Sequence, residues 1–198
     1  MCDGAVMDTL DEEMRARIEA VVLPAGIRLV RIPDDDWHTA SRSVLLRAFA
    51  DRTWIERDQL HDESVRAATR PLVERERLLL RHRYGLVHEG QLVGVYEGHQ
   101  RLEAIYEMNI TAIVPEHQRK GIYRALLRTV VEAARAAGFL AITSRHAADN
   151  NAILIPKLAE GFVIEGTIVS LSGGLQVRLV KYLHASGVAA FRRATSVP

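Results

Sequence analysis

The chain has 198 residues, 48% of them hydrophobic, with 26 basic against 25 acidic side chains. That length supports one domain with a substantial core rather than two, and the near-balanced charge argues against a dedicated nucleic-acid binder, which carries a basic excess. The one cysteine, Cys2, excludes an internal disulfide and a cysteine-based metal cluster and suits a reducing compartment. No apolar run reaches the roughly 18 residues of a membrane span, and the acidic N-terminal stretch lacks the basic-then-apolar shape of a signal peptide. A cytoplasmic location without a membrane partner is expected.

In chain order, residues 7–22 read as a leading helix ended by Pro24 and Gly26, and 27–32 as a first strand. Asp34, Asp35 and Asp36 then place acid at the positive end of a helix on which Trp37, Ala40, Val44, Leu45 and Phe49 repeat at helical spacing. Residues 54–81 continue as charged, helix-favouring sequence broken near Pro71, and the alternating charges at 66–83 read as a solvated helix surface. From Tyr84 the period falls to two. Residues 86–88 and 91–96 form a hairpin around Gly90, and Gly98, His99 and Gln100 separate it from a longer strand at 102–114. A helix over 120–137 ends at Gly138, a short buried strand follows at 139–143, and Asp149, Asn150 and Asn151 open a helix ended at Gly161. Residues 162–170 and 176–183 pair as a last hairpin around Gly173 and Gly174. The order is an α/β mixture with a single βαβ crossover. It divides into an N-terminal helical extension (1–26), one domain (27–184) and a tail (185–198).

Between the apolar run ending at Val114 and the helix at 120–137 stands the basic, glycine-containing loop VPEHQRKGIYRALL. The helix is strongly amphipathic: Ile122, Leu126, Val130, Ala133 and Ala137 form a stripe opposite Arg124, Arg128, Glu132 and Arg135. Its first N–H groups lack intrahelical partners and its dipole is positive there. Arg119, Lys120 and a glycine that permits close backbone approach make this end an anion pocket suited to phosphate. It is neither a Walker loop, since no Lys-Ser or Lys-Thr follows, nor a dinucleotide fingerprint, since Tyr123 stands where a second glycine is needed.

Here the sequence resembles the GCN5-related N-acetyltransferases (GNATs), whose acetyl-CoA signature has the core Gln/Arg-x-x-Gly-x-Gly/Ala. The matches are Gln118 and Gly121, framed by Pro115 and Ala125-Leu126-Leu127, with Asn150 and the Gly161-Phe162 pair further on; the element order from about 27 to 184 also fits. The resemblance implies an α/β (α+β) fold: a mixed, mostly antiparallel central sheet with a splayed parallel fourth and fifth strand pair and flanking helices. It implies acetyl-CoA as the acyl donor. The pyrophosphate is held by backbone amides of Gln118, Arg119, Lys120, Gly121, Ile122, Tyr123 and Arg124. Backbone groups near Ala112 and Ile113 bind the pantetheine arm between the two splayed strands, and Asn150 matches a coenzyme-contacting asparagine. Two departures stand out. Tyr123 replaces the last small residue of the signature, and Lys157 occupies the place of a tyrosine that serves the family as general acid near the sulfur. A lysine there reads either as that acid or as a solvent-facing helix residue.

Transfer to an amine needs a group that accepts the ammonium proton, directly or through water. Glu107 is the candidate: a carboxylate in an otherwise apolar central strand, six residues before Ile113, where some members of the family carry a catalytic glutamate. Strict alternation puts Ile105, Glu107, Asn109, Thr111 and Ile113 on one face; the alternative for Glu107 is a solvated strand end. His117 reads as an exposed loop residue, and no metal-ligand spacing occurs among the eight histidines. The expected activity is direct acetyl transfer from acetyl-CoA to a primary amine, of a small molecule or of a protein or peptide, in a ternary complex. A catalytically inactive acyl-CoA sensor is the alternative. The acceptor is expected near residues 50–54 and 170–176; homodimerisation is left open.

Overall fold

The computed structural model describes residues 4–50, 62–76, 79–171 and 173–195. Its elements are α1 (Gly4–Glu19), β1 (Arg28–Arg31), α2 (Trp37–Ala48), α3 (Glu63–Glu76), β2 (Arg81–His88), β3 (Gln91–Arg101) and β4 (Ile105–Ile113). A single 3-10 turn (Pro115–His117) leads to α4 (Ile122–Ala136), β5 (Ala141–Ala147), α5 (Asn151–Ala159), β6 (Val163–Ser170), β7 (Gly174–Tyr182) and α6 (Ala185–Thr195). The strands form one seven-stranded sheet in the order β1-β2-β3-β4-β5-β7-β6. Every neighbouring pair is antiparallel except β4 and β5, which the α4 crossover makes parallel. The expected fold class is therefore the observed one.

Local chemistry accounts for much of this. Glu89 and Gly90 both take left-handed φ, 48° and 79°, as a two-residue hairpin turn of the favoured twist requires. Helix α4 buries Ile122, Leu126, Leu127, Val130, Val131, Ala133 and Ala134 against the sheet. At roughly 1.5–3 kcal/mol for each large aliphatic side chain, that face anchors the crossover. One sheet face, here the donor face, carries Tyr84, Tyr96 and Tyr106 and is covered by α1 and α4, which pack together. Asp11 of α1 meets His82 Nε2 at 3.0 Å, His82 Nδ1 meets the Tyr106 hydroxyl at 2.9 Å, and Tyr106 meets Tyr96 at 3.0 Å. This buried chain ties α1 to the middle of the sheet. The opposite face carries Arg83 and Glu97 under α2, with the Arg83 guanidinium 5.2 Å from the Trp37 ring centre.

Four expectations need correction. The sequence 98–100 is not a turn: β3 runs through it to Arg101, and the reversal falls at residues 102–104, where Glu103 and Ala104 take positive φ. Gly98 has another role. A Cβ there would collide with the hydroxyls of Tyr96 and Tyr106, so the glycine makes room for that buried pair. Pro71 lies inside α3 and does not break it; residues 67–71 are exposed, so the carbonyl its ring deprives of a donor can bond to water. The charges at 66–83 are not one solvated helix surface, because Arg81 and Arg83 belong to β2 and Arg83 is buried against Glu97 at 2.8 Å.

The fourth correction shapes the site. Gly98 pairs with Met108 but Glu97 pairs with Ile110, so Asn109 is the extra residue of a β-bulge. Alternation is broken there. By register Glu107 shares its face with Ile110 and Ala112, while Thr111 and Ile113 lie on the donor face with Tyr106 and Met108.

Candidate active site

Strands β4 and β5 pair only over Ile105↔Ala141, Tyr106↔Ile142 and Glu107↔Thr143, then part. Beyond Glu107 the β5-facing edge of β4 offers backbone groups that no strand satisfies, and the Ile113 carbonyl takes a 2.8 Å bond from the Gln118 side-chain amide. The opening widens toward the start of α4. That helix has no side-chain cap; its N-cap is Gly121 at φ 79°, and Arg119 is also left-handed at φ 59°. A non-glycine residue in that region costs about 1–2 kcal/mol, and consecutive amides bent this way form an anion-binding concavity. Gln118, Arg119, Lys120, Gly121 and Arg124 are all exposed around it. These residues fit a pyrophosphate at one end of an extended ligand.

At the apex of the opening, on the donor face, lies Lys157 of α5. It is 0% exposed, which excludes the solvent-facing reading. Its Nζ donates to Ser144 Oγ at 2.9 Å, lies 3.5 Å from Met108 Sδ and sits 4.4 Å from the Phe162 ring centre. Among the described residues no carboxylate pairs with it. Burial therefore pushes the ammonium down to about 7. Ser144 Oγ lies 3.1 Å from His146 Nε2, and burial, with the Lys157 charge adding, takes that imidazole down to about 3. Lysine, serine and histidine form a hydrogen-bonded row along β5.

Across the sheet a second buried charge flanks the opening: Glu107, 3% exposed, so it is no solvated strand end. Arg101 reaches Oε2 at 2.6 Å and Arg145 reaches Oε1 at 3.2 Å. Burial raises the carboxyl, but the Arg101 bond and the charges of Arg145 and Arg101 outweigh it and hold the group below its ordinary value. Beside it Asn109 donates to Glu97 Oε2 at 2.8 Å.

The remaining expected residues fall around the opening. Ala112 is buried and Ile122 is buried; Ile113 and Tyr123 are half-buried, and the Tyr123 hydroxyl has no partner. Asn150 occupies the N-cap of α5, yet its side chain makes no capping bond. His117 is half-buried against His88, ring centres 4.9 Å apart, rather than exposed. The acceptor segment 51–54 lies outside the described residues. Sequence reasoning missed Ser144, Arg101 and Arg145, which no local pattern marks, and underrated Lys157. Among the described residues no cluster of His, Cys, Asp or Glu could hold a metal, and no helix is long and apolar enough to cross a membrane.

A sheet parted in its middle beside an uncapped, basic helix start is a groove of the shape and charge to fit a long ligand with a phosphate end. Residues 45–156, more than half of the chain, match the acetyltransferase (GNAT) family, and the chain belongs to that family. Solved structures share the fold. An N-acetyltransferase from Staphylococcus aureus Mu50 has 16% identity, with 81% of this chain and 100% of that one covered at a TM-score of 0.58. The yncA protein of Salmonella typhimurium, solved with its cofactor acetyl-CoA, has 18% identity, 81% and 95% coverage and a TM-score of 0.57. A ribosomal-protein-alanine N-acetyltransferase from Brucella melitensis has 19% identity, 78% and 98% coverage and a TM-score of 0.56. A search of curated proteins finds no match.

Proposed function

We propose that this domain is an acetyl-CoA-dependent N-acetyltransferase that moves the acetyl group directly to a primary amine in a ternary complex in the cytoplasm. The observation that carries the reading is the β4–β5 opening, with an uncapped helix start at its wide end and an unpaired buried lysine at its apex. Amides of residues 118–124 hold the pyrophosphate, backbone groups of Ala112 and Ile113 hold the pantetheine arm, and Asn150 contacts the coenzyme. When bound, acetyl-CoA supplies the acetyl group as a thioester.

Lys157 gives its proton to the departing sulfur. An ammonium near 7 can protonate a thiolate whose ordinary value is about 8.5, so the transfer is downhill. Ser144 and His146 relay its replacement. On the opposite face Glu107 takes the amine proton through water. Its two arginines keep it ionised at working pH but make it a weak base. The alternative of a non-catalytic sensor keeps the opening but has no use for an unpaired buried ammonium.

Acetyl-CoA should raise the melting temperature by a few degrees at saturation, since a ligand that binds only the folded state stabilises it, and amines should release free thiol from it. No shift at millimolar CoA would overturn any coenzyme reading; a shift without thiol release from any amine would leave the sensor.

A further inference from the structure

On the face opposite α4, one row of charges crosses four strands: Glu107 on β4, Arg145 on β5, Arg178 on β7 and Glu165 on β6. Arg145 and Arg178 are direct cross-strand partners. Like charges in that relation destabilise a sheet. Their carboxylates do not lie between them. Glu107 holds Arg145 at 3.2 Å from the β4 side, and Glu165 holds Arg178 at 2.7 Å from the β6 side. The two guanidinium side chains stay 41% and 47% exposed, with N–H groups to spare beyond those single carboxylates.

The surroundings add positive charge. Arg101, 53% exposed, approaches Glu107 from β3. Arg81 stands two strands from Glu107 in the same row, through His99, and its buried Nε has no partner. Around Glu107 and Glu165 stand four guanidinium groups; with Arg83 nearby, held by both Glu97 and Asp34, the face carries five guanidinium groups against four carboxylates, and the surplus lies on the Arg145 and Arg178 side. Arg145 follows the last β4–β5 pair by two residues, where the strands begin to part.

Resting on the transferase reading above, we infer that the acceptor is an amine that also carries a carboxylate, seated by Arg145 and Arg178 on this face. A bidentate-capable guanidinium suits a carboxylate, and the local excess of positive charge disfavours polycationic acceptors. An amino acid and the N-terminus of an acidic peptide share this chemistry.

The test measures thiol release from acetyl-CoA by the full chain with four acceptors: glutamate, the doubly amidated glutamate, an acidic tripeptide and a polyamine. The expected result is a kcat/KM at least about tenfold higher for glutamate or the tripeptide than for the amidated compound, with the polyamine poorest. The two carboxylate acceptors tell amino acid from peptide. Arg178→Gln, at an exposed position, should shrink the preference for carboxylate over amide about tenfold. Preference for the amide or the polyamine overturns the inference, as does an unaltered preference in that variant or a coenzyme-binding chain that uses none of the four. Failure of the transferase reading is distinguishable, because it appears first as the absence of any thermal shift with CoA.

Discussion

Two charges are buried on either side of the same parted strands, and the protein treats them in opposite ways. Glu107 is given two arginines, so its charge is fixed and its proton affinity lowered. Lys157 is given a hydroxyl, a thioether and an aromatic face, so its charge is left uncompensated and its proton affinity falls to about 7. A paired buried ion is a fixed electrostatic element. An unpaired one is poised to change protonation near neutrality, at a cost to stability. In the function proposed above, the contrast suits Lys157 to proton donation and Glu107 first to organising arginines and only second to acting as a base.

The largest effect should come from removing the ligand that gives both charges their purpose. Gly121→Glu places a carboxylate at the anion site and a side chain at φ 79°, where the added Cβ would meet only Pro24 Cγ at 3.8 Å. The fold should therefore survive with a modest strain cost. CoA affinity should fall by about 100-fold or more, read by calorimetry. Normal binding would detach the loop from the coenzyme and with it the whole comparison.

Lys157→Met tests the unpaired member of the pair. Activity with acetyl-CoA and an amine should fall by roughly 10², and kcat/KM should lose a decline above pH 7 that the wild type shows as Lys157 deprotonates. Stability should move the other way. Below pH 7 the lysine is protonated in both folded and unfolded chains, so the burial penalty is present in full. Between about 7 and 10.5 the unfolded chain still binds the proton and the native one does not, so wild-type stability climbs with pH. The variant should thus be more stable at pH 7, by on the order of 3 kcal/mol, with the gap closing toward pH 10.5. Chemical denaturation across that range reads it; a less stable variant with full activity would make Lys157 an ordinary packing residue.

What was legible in the sequence follows the range of the forces involved. The α4 stripe, the Glu89-Gly90 turn and the position of the α4 start rest on residues within a few positions of one another, and the structure has all three where the sequence puts them. The bulge at Asn109 is set by how β3 and β4 meet, and nothing in the β4 sequence marks it. The inversion on α5 hides deeper: Lys157 is buried while Ile155 and Leu158 are 62% and 43% exposed, against every hydropathy expectation. Only the parted strands, with Ser144 and Met108 on the donor face, make a buried lysine tolerable there. Arg101 and Arg145 carry no local mark of their role, because the carboxylate they share sits on a third strand.

The smallest expected effect concerns the paired charge. Glu107→Gln keeps the size of the side chain, but its single carbonyl oxygen can accept from only one of the two arginines, which now hold separate carboxylate oxygens, and it cannot take a proton. Loss of a general base usually costs about 10² or more in rate. Here the two arginines already depress the basicity of the carboxylate, so the fall at neutral pH should be smaller, about tenfold. Raising the pH should recover the rate as free amine becomes available without help. CoA affinity should hardly change, since Glu107 lies on the face opposite the anion loop. The wild-type carboxyl titrates below its ordinary value, so no rate limb near neutrality belongs to it, and any such limb should survive in this variant and vanish in Lys157→Met. If the neutral limb disappears with Glu107 instead, the roles assigned to the two buried charges are reversed. If the rate is unaltered at every pH, Glu107 serves only to hold its arginines, and water alone removes the amine proton.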